Sequence, residues 1–332
     1  MLLSSLLLTL PLCALPLRVL PLLTPDKPPS GQTGTLIRES PIYIAANADS
    51  QRLDRISPGR ELIIAERSGK WLRVFANTDV EQNRAQDAPV FDTETATPPI
   101  SGWIEDAGVI SAATPNGDAI LFGAAATAEM TASEPHAPHR AAQDARLLYT
   151  RTVQIFPQSQ RAPEAMWRAA DIRWQLEKAD VFSRPSAQEK ESYLRQQIDD
   201  DEMHKIEKKY PHSKWADLAA WDMLDNKICG DWQGSTKCPE KESELFEKYA
   251  DEHPDSPKAA EALYEAAYRQ AAAGDIYAGS GDDKKASAAH DRAGAISAKL
   301  QKTYPASDYA ARAATLIYKL QQSIPIYGVD RE

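Results

Sequence analysis

HPDSPKAAEALYEAAY, residues His253–Tyr268, decides how the chain reads. Pro254 cannot continue a helix and disfavours helical geometry in the residue before it, so one helix stops here. Ser256 can accept a hydrogen bond from the exposed N–H groups of a new helix and cap it. Ala259 and Ala262 follow about one turn apart on that helix, and their methyl groups let a neighbouring helix come close. A ring before the proline, here the imidazole of His253, can cover the corner. The phrase predicts a tight turn between two antiparallel helices.

It recurs as FPQSQRAPEA (Phe156–Ala165), YPHSKWADLA (Tyr210–Ala219) and YPASDYAARA (Tyr304–Ala313). Counting from Pro157, Pro211, Pro254 and Pro305, the second residue is Ser159, Ser213, Ser256 or Ser307. The fifth is Ala162, Ala216, Ala259 or Ala310, and the eighth is Ala165, Ala219, Ala262 or Ala313. Successive prolines lie 54, 43 and 51 residues apart (211 − 157, 254 − 211, 305 − 254). Stretches such as AAQDARLLYTRTVQIF, APEAMWRAADIRWQLEKA and KESELFEKYADEH carry apolar residues at helical spacing. Four copies therefore predict a stack of helix pairs rather than an isolated turn; a generic Ala-rich bundle is the blander reading.

The aromatic-Pro-x-Ser corner followed by small residues resembles the tetratricopeptide variant of envelope proteins. The lipoprotein scaffold of the outer-membrane β-barrel assembly machine and the periplasmic coordinators of cell division carry such repeats. The resemblance spans about residues 118–322, although the units exceed the roughly 34 residues of the standard repeat. It implies an all-α tetratricopeptide-like helical-repeat solenoid with a curved surface for protein or peptide partners. The extra length falls in DVFSRPSAQ, ICGDWQGSTKCPEK and YAGSGDDKK.

Upstream, from about 34 to 110, the pattern is β. GRELIIAERSGKWLRVFA holds apolar runs Leu62–Ala65 and Trp71–Val74 around Ser68-Gly69-Lys70, a hairpin signal, with Pro58-Gly59 as an earlier turn. Ser101-Gly102-Trp103-Ile104 starts a further strand after a polar insertion at about 77–99. The turn at Pro-Gly, the Gly-Lys-Trp hairpin and the Gly-Trp-Ile strand are similar to bacterial SH3-like domains, which implies a small β-barrel. Trp71 and Trp103 read first as core aromatics and second as a ligand-stacking pair. SAATPNG, residues 111–117, marks the boundary between the two modules, and 323–332 reads as a tail.

Residues 1–23, MLLSSLLLTLPLCALPLRVLPLL, have Arg18 as their single charge and read as an export signal, or as an N-terminal anchor. Pro/Gly/Ser-rich residues 24–33 read as a linker. Cys13 invites lipidation, but Leu10-Pro11-Leu12 lacks the small residue needed before it. The rest of the chain has no comparable apolar run and is expected to be soluble. A net charge of −10 over 332 residues argues against a nucleic-acid partner.

In an exported chain Cys229 and Cys238, bracketing GDWQGSTK, are expected to form a structural disulfide; a metal site would need more ligands nearby. His253 reads as a variant of a corner aromatic. His136 and His139 are a weak metal-binding pattern at most, and Asp199-Asp200-Asp201-Glu202 reads as a solvated helix face. No phosphate loop, nucleophile elbow or zinc motif is present, so neither catalysis nor a cofactor is expected. Trp167, Trp174, Trp215, Trp221 and Tyr264 are the aromatics to follow; three of them, Trp167, Trp221 and Tyr264, stand ten residues after a corner proline, which suggests packing. The expected function is a non-catalytic exported adaptor or scaffold in the bacterial envelope, binding a protein or peptide. The alternatives are a peptidoglycan-binding module using the SH3-like domain with the repeats as spacer, and a regulatory subunit of an envelope enzyme.

Overall fold

A computed structural model describes residues 31–79, 98–232 and 234–327. Residues 1–23, read as an export signal or anchor, with Cys13 among them, and most of the insertion before Gly102 lie outside the described residues. An antiparallel seven-stranded sheet is followed by nine α-helices among the described residues. The strands are β1 (Gln32–Leu36), β2 (Ser40–Tyr43), β3 (Arg52–Ile56), β4 (Glu61–Ser68), β5 (Trp71–Ala76), β6 (Ile100–Glu105) and β7 (Val109–Ser111), ordered β3-β2-β6-β5-β4-β1-β7. β1 thus begins within the stretch read as linker. The expected hairpin is β4–β5, closed by a two-residue loop in which Gly69 takes φ +58°, a conformation open to glycine at no steric cost.

Leu36, Ile42, Ile56, Leu62, Leu72, Val74, Ala76 and Ile104 form the apolar side of the sheet. Trp71 and Trp103 belong instead to the opposite face, because residues alternate along β5 and β6 and these two flank Leu72 and Ile104. Trp71 is buried there with the edge of Tyr43 against it, ring centroids 5.6 Å apart, while Trp103 is half-buried.

The helices are α1 (Gly117–Ala132), α2 (Ala141–Ile155), α3 (Ala162–Ser183), α4 (Asp201–Lys209), α5 (Lys214–Asp222), α6 (Lys237–Glu252), α7 (Ala259–Gly279), α8 (Asp283–Thr303) and α9 (Asp308–Gln321). Each repeated phrase joins one pair: α2 to α3, α4 to α5, α6 to α7 and α8 to α9. Phe156, Tyr210, His253 and Tyr304 end their helices with nearly identical backbones, φ between −125° and −129° and ψ between 54° and 59°. In each corner the serine N–H donates back to the carbonyl of the residue before the proline, at 3.0, 3.3, 3.0 and 3.0 Å. The second corner differs in its interior, where His212 adopts φ +61°.

The serine hydroxyls act as expected, with one refinement. Ser213 and Ser307 are true N-caps, accepting from the N–H groups of Ala216 and Tyr309. Ser159 and Ser256 accept from Arg161 and Lys258 at 3.1 Å each, and their helices start three residues after the serine. Both hydroxyls are also tied to another element, Ser159 to Asp118 and Ser256 to Tyr249, each at 2.6 Å. All eight repeated alanines are buried, none more than 7% exposed.

The corner ring does more than cover its own turn. His253 Nδ1 lies 2.8 Å from Asp217 Oδ1 of α5, and the Tyr304 hydroxyl donates to the Pro254 carbonyl at 2.7 Å. Phe156 packs where a side chain on Gly117 would sit. In these three cases the ring grips the unit before it in the stack. Asp199–Glu202 is solvent-facing as expected, with Asp199 and Asp201 exposed at the start of α4, and it also carries ion pairs: Asp199 and Glu202 pair with Arg173, and Glu202 with Arg146.

Cys229 and Cys238 form a disulfide, Cα atoms 6.0 Å apart. The bridged loop is seated on the buried carboxylate of Glu242, which accepts from Cys229 N–H at 2.9 Å, the Trp232 indole at 3.1 Å and Arg269 Nε at 2.7 Å. Beyond α9 the chain turns back: Asp275 Oδ2 accepts from the N–H groups of Ile326 and Tyr327 at 2.5 and 3.0 Å, and Tyr327 stacks on Trp232. The start of the segment read as a tail is therefore packed. Among the described residues no helix is long and apolar enough to cross a membrane. The disulfide is compatible with an exported protein.

Where the sheet meets the helices, Ile37 and Ile110 pack with Leu121 and Leu148 of α1 and α2, and one buried arginine adds a polar tie. Arg151 of α2, 3% exposed, donates from Nε to the Gly59 carbonyl at 2.8 Å and from Nη2 to Asp79 Oδ2 at 2.6 Å. Its Nη1 lies 3.5 Å from Glu61 Oε2. Gly59, at φ +76°, permits this approach, since a Cβ there would stand 2.5 Å from Leu147 Cβ.

Two outcomes follow. Replacing Arg151 with Ala removes the closest cation from Asp79, leaving it Arg60 at 3.5 Å and the Glu61 N–H at 3.2 Å, and is expected to cost about 3 kcal/mol in urea unfolding. Arg151→Lys, which keeps the charge but loses the fork, should cost less. Reducing Cys229–Cys238 should lower the unfolding free energy by about 2–3 kcal/mol, the entropy of freeing so short a loop. Denaturation with and without dithiothreitol measures it, and an unchanged midpoint would mean that the Glu242 contacts alone hold the loop.

Candidate functional site

The units of the stack are joined by a ladder of rings and cations written in the repeat. The residue ten positions after a corner proline meets the residue four positions after the next one. Trp167 stacks on Trp215 with centroids 5.3 Å apart, Lys258 Nζ lies 5.2 Å above Trp221, and Tyr264 faces Tyr309 at 5.8 Å. Arg161 makes the equivalent contact with Phe122 of α1 at 5.5 Å, so α1 serves as the half-unit on which the first pair is stacked. Each rung contributes about 0.5–1.5 kcal/mol beyond its area. Trp174 takes no rung; it is fully buried, its indole N–H donating to Asp225 at 3.1 Å. The five aromatics therefore hold units together or fill the core.

Beside the Trp167 rung lies a half-buried carboxyl. The Trp167 indole donates to Asp222 Oδ2 at 3.3 Å, and Lys178 pairs with neighbouring Asp225 at 2.6 Å. Burial, and then the nearby charge of Asp171, push the Asp222 carboxyl up to about 7. Burial also raises Asp171. Among the described residues no group of His, Cys, Asp and Glu side chains is arranged to hold a metal, and this includes His136 and His139.

No protein-family model matches the chain, and no curated protein matches it. Surface chemistry is what remains to read. The most apolar groove among those described lies between α2, α3 and α4, with a volume of about 290 Å³. Val153, Met166, Ala169 and Ala170 line it, with Lys205 and Lys209 at its rim and Thr150, Gln154 and Glu202 completing the wall. The alanine stripe of α3 produces the hollow: side chains no larger than methyl leave space that longer ones would fill. A second surface is the outer sheet face, where Tyr43, Arg73 and Trp103 lie side by side across β2, β6 and β5.

The Asp222 proton has a measurable consequence. Between about pH 4 and pH 7 the folded chain keeps a proton that the unfolded chain, at an ordinary carboxyl value, releases. The folded state binds more protons in that window, so this group's stabilisation is full below about pH 4 and is lost as pH rises through 7. Asp222→Asn should flatten this part of the stability profile and stabilise the protein at pH 8, on the order of 1–2 kcal/mol. Urea titrations of both proteins from pH 5 to 8 give the comparison; parallel profiles would exclude titration at Asp222.

Proposed function

We propose that the chain is an exported envelope adaptor in which a tetratricopeptide-like solenoid presents a groove to a protein or peptide partner and an SH3-like domain is docked rigidly at one end. The observation that carries this reading is the repeated corner with its ladder, which builds a stack of helix pairs and leaves the small-residue groove between α2, α3 and α4 open. The disulfide and the apolar leader support export. Four corners whose pre-proline residues share nearly the same backbone angles support a repeat rather than a bundle. The joint through Arg151 supports the β-domain acting as part of one body.

A peptidoglycan ligand is the second reading, favoured by the row Tyr43, Trp103 and Arg73 on the outer sheet face. Aromatic rings and a guanidinium offer stacking and hydrogen bonding to a wall fragment.

One experiment weighs the two. A photo-crosslinking amino acid at Gln154 or Lys205 of the full chain, in intact cells, should capture one discrete partner, and the same probe at exposed Tyr318 should not. Capture at Tyr318 and Gln154 alike, or at neither, would count against a groove-bound partner. Wall co-sedimentation abolished by Tyr43→Ala with Trp103→Ala would favour the second reading.

A further inference from the structure

We propose that the groove between α2, α3 and α4 holds an acidic peptide segment that seats one apolar side chain between Lys205 and Lys209. The inference rests on the adaptor reading and names the chemistry of the partner. It starts from charge. The chain is acidic overall, and its arginines are largely committed: Arg146 and Arg173 to Glu202, Arg168 to Glu129 and Glu164, Arg151 to Asp79. Lys205 and Lys209, like several other surface lysines, are not committed in this way. Both are exposed, both line the groove, and among the described residues neither forms an ion pair. Asp199 feels the charge of Lys205, and the Lys209 ammonium lies 5.3 Å from the Tyr210 ring, yet among the described residues no carboxylate bonds to either.

Spaced four apart on α4, the two lysines fall on the same side of the helix and above the same apolar floor. The one carboxylate in the wall, Glu202, is already held by two arginines at 3.0 and 3.2 Å, so it does not neutralise them. In the remaining polar wall Thr150 donates to the Arg146 carbonyl at 2.9 Å, and the Gln154 side-chain carbonyl accepts from Arg151. What is left to offer a ligand is apolar surface, together with two ammonium groups and the amide N–H groups of exposed Gln154, both suited to a carboxylate. That combination suits a carboxylate-bearing segment with a single large apolar residue. Met166 in the floor, unbranched and polarisable, adapts to an aromatic or an aliphatic anchor.

The test uses the full oxidised chain and a fluorescein-labelled nonapeptide, Asp-Glu-Asp-Glu-Phe-Glu-Asp-Glu-Asp, followed by anisotropy. Saturable binding is expected, weakened at least tenfold by Phe→Ala in the peptide, by its all-Lys counterpart, and by K205E/K209E in the protein. K205Q/K209Q should weaken it too, without adding negative charge, and rising salt should weaken it progressively. Met166→Trp, which fills the floor and leaves both lysines in place, should abolish it. Thermal unfolding followed by circular dichroism confirms that each variant is folded. Equal binding of acidic and basic probes, or binding indifferent to the lysine substitutions and to Met166→Trp, overturns the proposal. So does binding that appears only after deletion of the acidic stretch 80–97, since the groove would then belong to the chain itself. Crosslinking of a non-acidic partner at Gln154 would leave the adaptor reading standing and remove this inference alone.

Discussion

A proline that has no N–H to give is the constraint on which the helical part depends. At each corner the preceding residue is forced out of helical geometry, and the four residues in that position adopt nearly the same backbone angles. The serine two places on then closes the turn from both sides, its N–H donating backward and its hydroxyl accepting from the new helix. With the turn fixed, the first alanines of the second helix always face a neighbour. Substituting a bulkier residue in such a dry contact is costly because packed interiors yield little. One local rule, applied four times, therefore produces a regular stack without a long-range template.

Stacking needs a second element, because helix pairs with methyl faces alone would slide. The ladder supplies register. Each rung links a ring ten residues past one corner to a ring or cation four residues past the next, and the corner rings reach backward as well, His253 to Asp217 and Tyr304 to the Pro254 carbonyl. The first corner finds the same support in α1, through Phe122 with Arg161 and Gly117 with Phe156. The β-domain is fastened differently. It shares no repeat with the helices, so its joint combines an apolar contact of Ile37 and Ile110 with α1 and α2 and one guanidinium spread over one carbonyl and two carboxylates.

How much of this was legible in the sequence depends on the kind of residue. Corner positions were legible because Pro, Ser and Ala act through their own backbone and size, whatever surrounds them. His253 could be placed by alignment with Phe156, Tyr210 and Tyr304. The equivalence of Trp167, Trp221 and Tyr264 was visible as packing, but their partners were not: a rung needs the next unit, 43 to 54 residues on, brought alongside. Arg151 looked like one more arginine on an amphipathic helix, and its burial arises only when Gly59 lets α2 approach. Asp199–Glu202 could be placed on a solvated face, but its arginine partners could not, since Arg146 and Arg173 lie on other helices. The groove was invisible, as two lysines and a stripe of alanines carry no signal until α2, α3 and α4 surround them.

The sequence by itself determined where helices stop and start, which small residues face inward, the β4–β5 hairpin and the pairing of the cysteines within one loop. These are local matters, governed by a missing N–H, a short hydroxyl side chain, the absence of a Cβ and a short chain closure. Only the tertiary structure decided which surface each tryptophan of the sheet occupies, what Arg151 and Glu242 hold, why Asp222 keeps its proton near neutrality, and which lysines remain free. Each of those depends on burial or on the distance between charges far apart in the chain. Neither quantity exists until the stack has formed.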